Sequence, residues 1–175
     1  LLQTLSATPV RAAYVEAGGV LPTGSEESAL EELSIDYCQL FLGPSQNLPP
    51  YQSVWSSGEF HGTPVNSMQR FIDVAGYSPG VLPRGIMLDH LGVQLDLMGH
   101  VLWELASCGV DSADGQSIYE MADAYFTTHL CWPGELLNAA AQRANTEFYR
   151  AAALMTRRFL QSESVVVADA LPIIS

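Results

Sequence analysis

Apolar residues recur at helical spacing in one segment after another, and almost nowhere do they alternate as a strand requires. Leu30, Leu33, Tyr37, Leu40 and Phe41 share one face of a helix predicted over 26–42. Ser25 is its N-cap, Glu26 and Glu27 favour its positive end, and Gly43-Pro44 stops it. Met87, Leu88, Leu91, Leu95, Met98, Leu102 and Leu105 form a similar face over 87–107. Asp89, Asp96 and His100 lie opposite, with His90 on the flank beside Leu97 and Val101. Further helices are predicted near 1–17, with Pro9 inside, and over 63–75, with Thr63 as N-cap and Pro64 next. Two more cover 116–130 and 134–161, the last burying Leu137, Ala141, Ala144, Phe148, Ala151 and Met155. Five or more helices without a sheet predict an all-α, single-domain bundle over 1–161 with long Pro/Gly-rich connecting loops. An apolar tail, 162–175, follows and is expected to pack back as an extended segment.

The bulk properties narrow the partners. The chain has 175 residues, of which 48% are hydrophobic, enough for a core and too many for a disordered polymer. Formal net charge is -12, and every cation is Arg. Residues 1–134 hold 15 acids against three Arg, whereas 135–175 hold four of each. Such a surface repels nucleic acid and attracts a basic peptide, unless the acidity serves solubility alone. No apolar run is long enough to span a bilayer and no secretory leader is visible, so a cytoplasmic protein without stable membrane insertion is expected. Cys38, Cys108 and Cys131 are too scattered for a metal or redox pair and are expected as reduced, mostly buried thiols.

Catalytic chemistry finds little support. Asp96 and His100 stand four apart on a helix, but Asp89 is two turns away and no second His or Cys pair completes a metal set. Neither a G-x-S-x-G element nor a glycine-rich phosphate loop is present. The expectation is therefore no catalytic residue, no metal and no cofactor. The long loop 43–63 is more informative. Its Tyr51, Trp55 and Phe60 must pack on the body or line a groove. On spacing alone Tyr37, Leu40 and Phe41 fit a core as well as a groove. Tyr51 and Trp55 fit a loop anchor, Asp89 a helix-dipole partner, and His90 a hydrogen-bonded flank residue.

Three motifs in fixed order add a resemblance: Tyr37-x-x-Leu40-Phe41, then Pro50-Tyr51-Gln52-Ser53-Val54-Trp55, then Asp89-His90-Leu91 with Gln94-Leu95-Asp96-Leu97-Met98. Phe126-x-x-His129-Leu130-x-Trp132 and Phe148-Tyr149-Arg150 follow. Over about residues 30–160 this resembles the TorD/DmsD/NarJ family of redox-enzyme maturation chaperones. Ahead of Asp89 the stretch Gly85-Ile86-Met87-Leu88 departs from that family's acidic residue and Pro. The resemblance implies a chaperone, not an enzyme. Its partner would be a molybdopterin oxidoreductase catalytic subunit or that subunit's twin-arginine leader, held for cofactor insertion, and a homodimer is left open. It also implies a peptide-binding set of Tyr37, Leu40, Phe41, Pro50, Tyr51, Trp55, Asp89 and His90. Asp89 would pair Arg side chains, and His90 would orient Asp89 or donate to a peptide carbonyl. Two other readings stay open: a helical adaptor unrelated to redox enzymes, and a nucleotide- or cofactor-handling protein.

Overall fold

The computed structural model describes residues 8–20 and 25–169. Among these the regular structure is helical throughout, and the extended pairing is a single antiparallel bridge between Tyr51 and His90. Eight α-helices follow in order: α1 Thr8–Glu16, α2 Glu26–Tyr37, α3 Gln52–Ser57, α4 Thr63–Val74, α5 Leu91–Cys108, α6 Ala113–His129, α7 Gly134–Arg143 and α8 Glu147–Asp169. The all-α expectation holds. No described helix is long and apolar enough to cross a membrane. The chain forms two compact units, one from Leu1–Pro49 with Gly134–Val166, the other built on Pro50–Pro133.

In the first unit, Tyr14, Ala17 and Ala151 are buried together, with Val10, Phe148, Leu154 and Met155 packed on them. Tyr14 donates to the Val20 carbonyl at 3.1 Å. Its ring lies so close to Gly19 that a Cβ there would sit 2.4 Å from it, so only glycine fits. The Ser25 cap is present: its hydroxyl accepts from Ser28 N at 3.3 Å. The helix predicted over 26–42 changes character at its end, Cys38–Leu42 winding as a π-helix.

The helix predicted over 134–161 is instead two, broken at residues 144–146. The cause is Asp36 on α2, whose side chain is buried. Its carboxylate accepts from Thr146 N at 2.8 Å, Thr146 Oγ1 at 2.6 Å, Asn145 N at 3.1 Å and Asn145 Nδ2 at 3.3 Å. A remote carboxylate thus caps α8 in place of a local side chain. Burial pushes the Asp36 carboxyl up, but the bonds from Thr146 and Asn145 outweigh it and hold it below the ordinary range. The tail expectation also changes: residues 162–169 continue α8 rather than running extended, and 170–175 lie outside the described residues.

In the second unit α5 packs along α6, and α4 packs on α3 and α6. Three boundaries differ from expectation. Part of the loop 43–63 is helical, as α3. Gly62, not Thr63, precedes α4, so Pro64 is its second residue. α5 begins at Leu91 with His90 as N-cap, so Asp89 lies before the helix and not on its solvent face. The buried side of α5 is Leu91, Val93, Gln94, Leu97, Met98 and Val101, rotated from the predicted stripe because Gln94 goes inside. The three thiols are free and exposed rather than buried, each standing at or beside a helix end.

Replacing Asp36 with Ala leaves Thr146 and the start of α8 without their acceptor. Urea unfolding at neutral pH should show a loss of about 3 kcal/mol. Because the folded carboxyl is lowered, the difference from wild type should persist at neutral pH and shrink once the pH falls through the ordinary Asp range.

Candidate functional site

The sequence-predicted residues fall into two sets, one in each unit. Pro50, Tyr51, Trp55, Asp89 and His90 belong to the second. Two short extended stretches meet there: Leu91 N donates to the Pro50 carbonyl at 2.8 Å and Gln52 N to the Asp89 carbonyl at 3.1 Å. This bridge sets Tyr51 edge-to-face against His90, ring centroids 5.1 Å apart, and Phe60 edge-to-face against Tyr51 at 5.5 Å. Phe60 is 55% exposed, while Tyr51, Trp55 and His90 are half-buried.

Asp89 is wholly buried. Its Oδ2 accepts from Ser53 N at 2.9 Å, which caps the first turn of α3 and fixes the loop carrying Tyr51 and Trp55. Asp89 Oδ1 and Ser53 Oγ are buried without a hydrogen-bond partner. The carboxylate therefore positions the loop from within, a place from which it does not present a charge to solvent. His90 Nδ1 accepts from Gly92 N at 3.0 Å, which puts the proton of the neutral ring on Nε2. Burial lowers the His90 pKa, the Asp89 charge opposing, so the ring is neutral near pH 7 and Nε2–H is a donor.

Below this face lies a buried polar network that the sequence reading did not single out. Trp132 Nε1, which can only donate, bonds Gln94 Oε1 at 2.9 Å. Gln94 Nε2 then donates to Gln52 Oε1 at 2.7 Å, and Gln52 Nε2 to the Thr128 carbonyl at 2.8 Å. Gln52 Oε1 being an acceptor, His129 Nδ1 at 2.7 Å must carry a proton. Burial drives the His129 pKa down to about 4 against the pull of Asp89, so the ring is neutral and Nε2 is bare. Ser67 Oγ, 2.9 Å away, therefore donates to it. Every orientation follows from one indole and one carbonyl. Signals were present in the sequence, since Gln52, Gln94, His129 and Trp132 all lie in the motif stretches, but polar residues at such places do not announce burial.

Tyr37, Leu40 and Phe41 belong to the first unit. Leu40 is buried and serves its core. The π-helix carries Phe41 beside Tyr37 at 5.2 Å, and Tyr149 meets both at 6.2 and 6.1 Å. Tyr37 is 37% exposed and Leu42 64%. Asp96 and His100 make no metal set: Tyr77 donates to Asp96, and His100 Nε2 meets the Ala75 carbonyl at 3.3 Å. Burial and then the Asp96 contact push the Tyr77 hydroxyl up to about 12. No group of three or more metal-ligating side chains occurs among the described residues.

An all-helical body with these motifs and this aromatic face is that of a NarJ/TorD-type protein, a class of chaperones and not of enzymes. The family described as nitrate reductase delta subunit matches residues 3–138, and the chain belongs to it. It is also 26% identical over 129 residues to chaperone protein YcdY of Escherichia coli (strain K12), covering 73% of this chain and 61% of YcdY. The matched stretch is thus less than two thirds of that relative's length. No solved structure matches the chain.

The His129 shift sets a pH dependence. Its lowered folded pKa leaves stability unaffected above the unfolded value near 6.5 and removes it as pH falls from there toward 4. The loss is about 3 kcal/mol at most. Urea unfolding of wild type and His129→Gln across that range should show the smaller decline in the variant.

Proposed function

We propose that this chain is a cytoplasmic assembly chaperone for a molybdopterin oxidoreductase catalytic subunit, and that it holds that subunit through a basic and apolar leader peptide. The observation that carries this reading is the Phe60–Tyr51–His90 ring series, presented at the surface yet tied to a buried frame through Ser53 and Asp89. Membership of the nitrate reductase delta subunit family and likeness to a protein described as a chaperone support it.

The physical division of labour is direct. Tyr51, Phe60 and Trp55 offer area to the apolar part of a leader at low entropic cost. His90 Nε2–H is a donor suited to a peptide carbonyl. Pro50 fixes the strand-like entry to α3 through its carbonyl. Asp89 acts as a positioning residue beneath the rings. In the other unit, Tyr37, Phe41 and Leu42 form a second partly exposed apolar patch, with Leu40 holding it from inside. The net charge of -12 attracts the basic part of a leader and favours rapid encounter.

Calorimetry against a twin-arginine leader, with a Lys-Lys version as control, tests this reading. Saturable binding that weakens in the control and at high salt is expected. Tyr51→Ala should weaken it about tenfold without unfolding the protein. Asp89→Asn should weaken binding together with a measurable loss of stability, as a positioning role requires. Equal binding to leader and control would favour an adaptor blind to the arginine pair.

A further inference from the structure

Beside the aromatic face, and within the same unit, lies a cleft of about 590 Å³ between the Ser56–Pro64 turn, the start of α4 and the end of α6. Its hydrogen-bonding character is lopsided. Ser57 Oγ donates its proton to the Ser53 carbonyl at 2.8 Å, and Thr128 Oγ1 to the Ala124 carbonyl at 2.7 Å. Ser67 Oγ gives its proton to His129 Nε2, as the tautomer derived above requires. The amide donors of Gln52 are spent on Thr128, so that residue brings no free N–H either. Each of the three hydroxyls is left with lone pairs only. The lining adds one carboxylate, Glu59, and one exposed ring, Phe60, and contains no Arg.

An acceptor-rich, acidic, ring-edged cleft fits a ligand that only donates, carries positive charge and has a flat face. A guanidinium meets all three demands: five N–H donors, permanent charge and stacking on an aromatic ring. An ammonium would use fewer of the acceptors and stack less well. One feature pulls the other way, the opening turn of α4, whose N–H groups favour anions. That pull is weakened, because Pro64 has no N–H and Gly62 supplies no side-chain cap. His61, the other titratable group of the lining, is exposed and turns out on a left-handed backbone, φ 72°.

We propose that this cleft receives a guanidinium side chain, with Glu59 as its charged partner, Phe60 as its stacking surface, and Ser57, Ser67 and Thr128 as neutral acceptors. That the arginine belongs to a client leader rests on the function proposed above; the fit to guanidinium does not. The assignment moves the arginine contact away from Asp89, which is buried and already bonded to Ser53 N.

The test uses the whole chain and two probes. N-acetyl-arginine amide, titrated into 15N-labelled protein, should shift the amides of residues 56–67 and 128–129, and acetate should not. In calorimetry with a twin-arginine leader, Glu59→Gln should weaken binding about fivefold at low salt. Glu104→Gln removes the same charge at a different cleft and should stay within about twofold of wild type. Shifts from acetate but not from the arginine probe would overturn the assignment. So would equal effects of the two variants, with leader binding still leaving the proposed function standing. Arginine-probe shifts in the cleft without leader binding would uphold the guanidinium site and overturn the chaperone reading. Silence from both probe and leader would overturn both.

Discussion

The side chain of Gln52 is the point on which the second unit turns. It belongs to the first residue of α3, yet it bonds to α5 through Gln94, to α6 through His129 and to the α6 backbone at Thr128. A buried carboxamide left unpaired costs about 1–3 kcal/mol, so these helices meet in the one arrangement that satisfies it. α3 has only six residues and could not hold its place by helix propensity. It holds because Gln52 anchors it beneath and the Asp89 carboxylate caps it.

The result is an exchange of the usual positions. Asp89, Gln94 and His129 are fully inside, while Phe60 is 55% and Trp103 71% exposed. Polar bonds have direction and so fix a single geometry, which apolar packing does less sharply. Rings carried on such a frame lose little freedom when they meet a partner. A surface for recognition is thereby made stiff by chemistry that never touches the ligand.

How far this could be read in advance depended on the kind of signal. Apolar spacing found the helices, and Ser25 and Gly43-Pro44 marked their ends, because these are local matters. The break in the last long helix was not local. Nothing in Ala144-Asn145-Thr146 says stop, and the reason sits on Asp36, more than a hundred residues earlier. Asp89 was visible as a motif but was expected on an outer helix face, since the bridge from Pro50 that ends the extended stretch cannot be seen along one segment. The stripe on α5 was misplaced for a related reason: hydropathy sends Gln94 outward, and only Gln52 and Trp132 together make its burial tolerable. Tyr51 and His90 were named as site residues, and the structure places their rings in contact. Phe60, which extends that pair, was noted as an aromatic of the loop but not chosen for the site.

The indole-to-carbonyl chain through Gln94, Gln52 and His129 also has a consequence for descent. Each member's orientation is dictated by the next, so replacing any one orphans its neighbours. Such positions cannot drift independently; a lineage must either keep the whole chain of donors and acceptors or exchange it in concert for an apolar filling. Among diverging relatives, residues 52, 94, 129 and 132 should therefore be inherited as a block, while the exposed rings above them remain free to vary with whatever each relative binds.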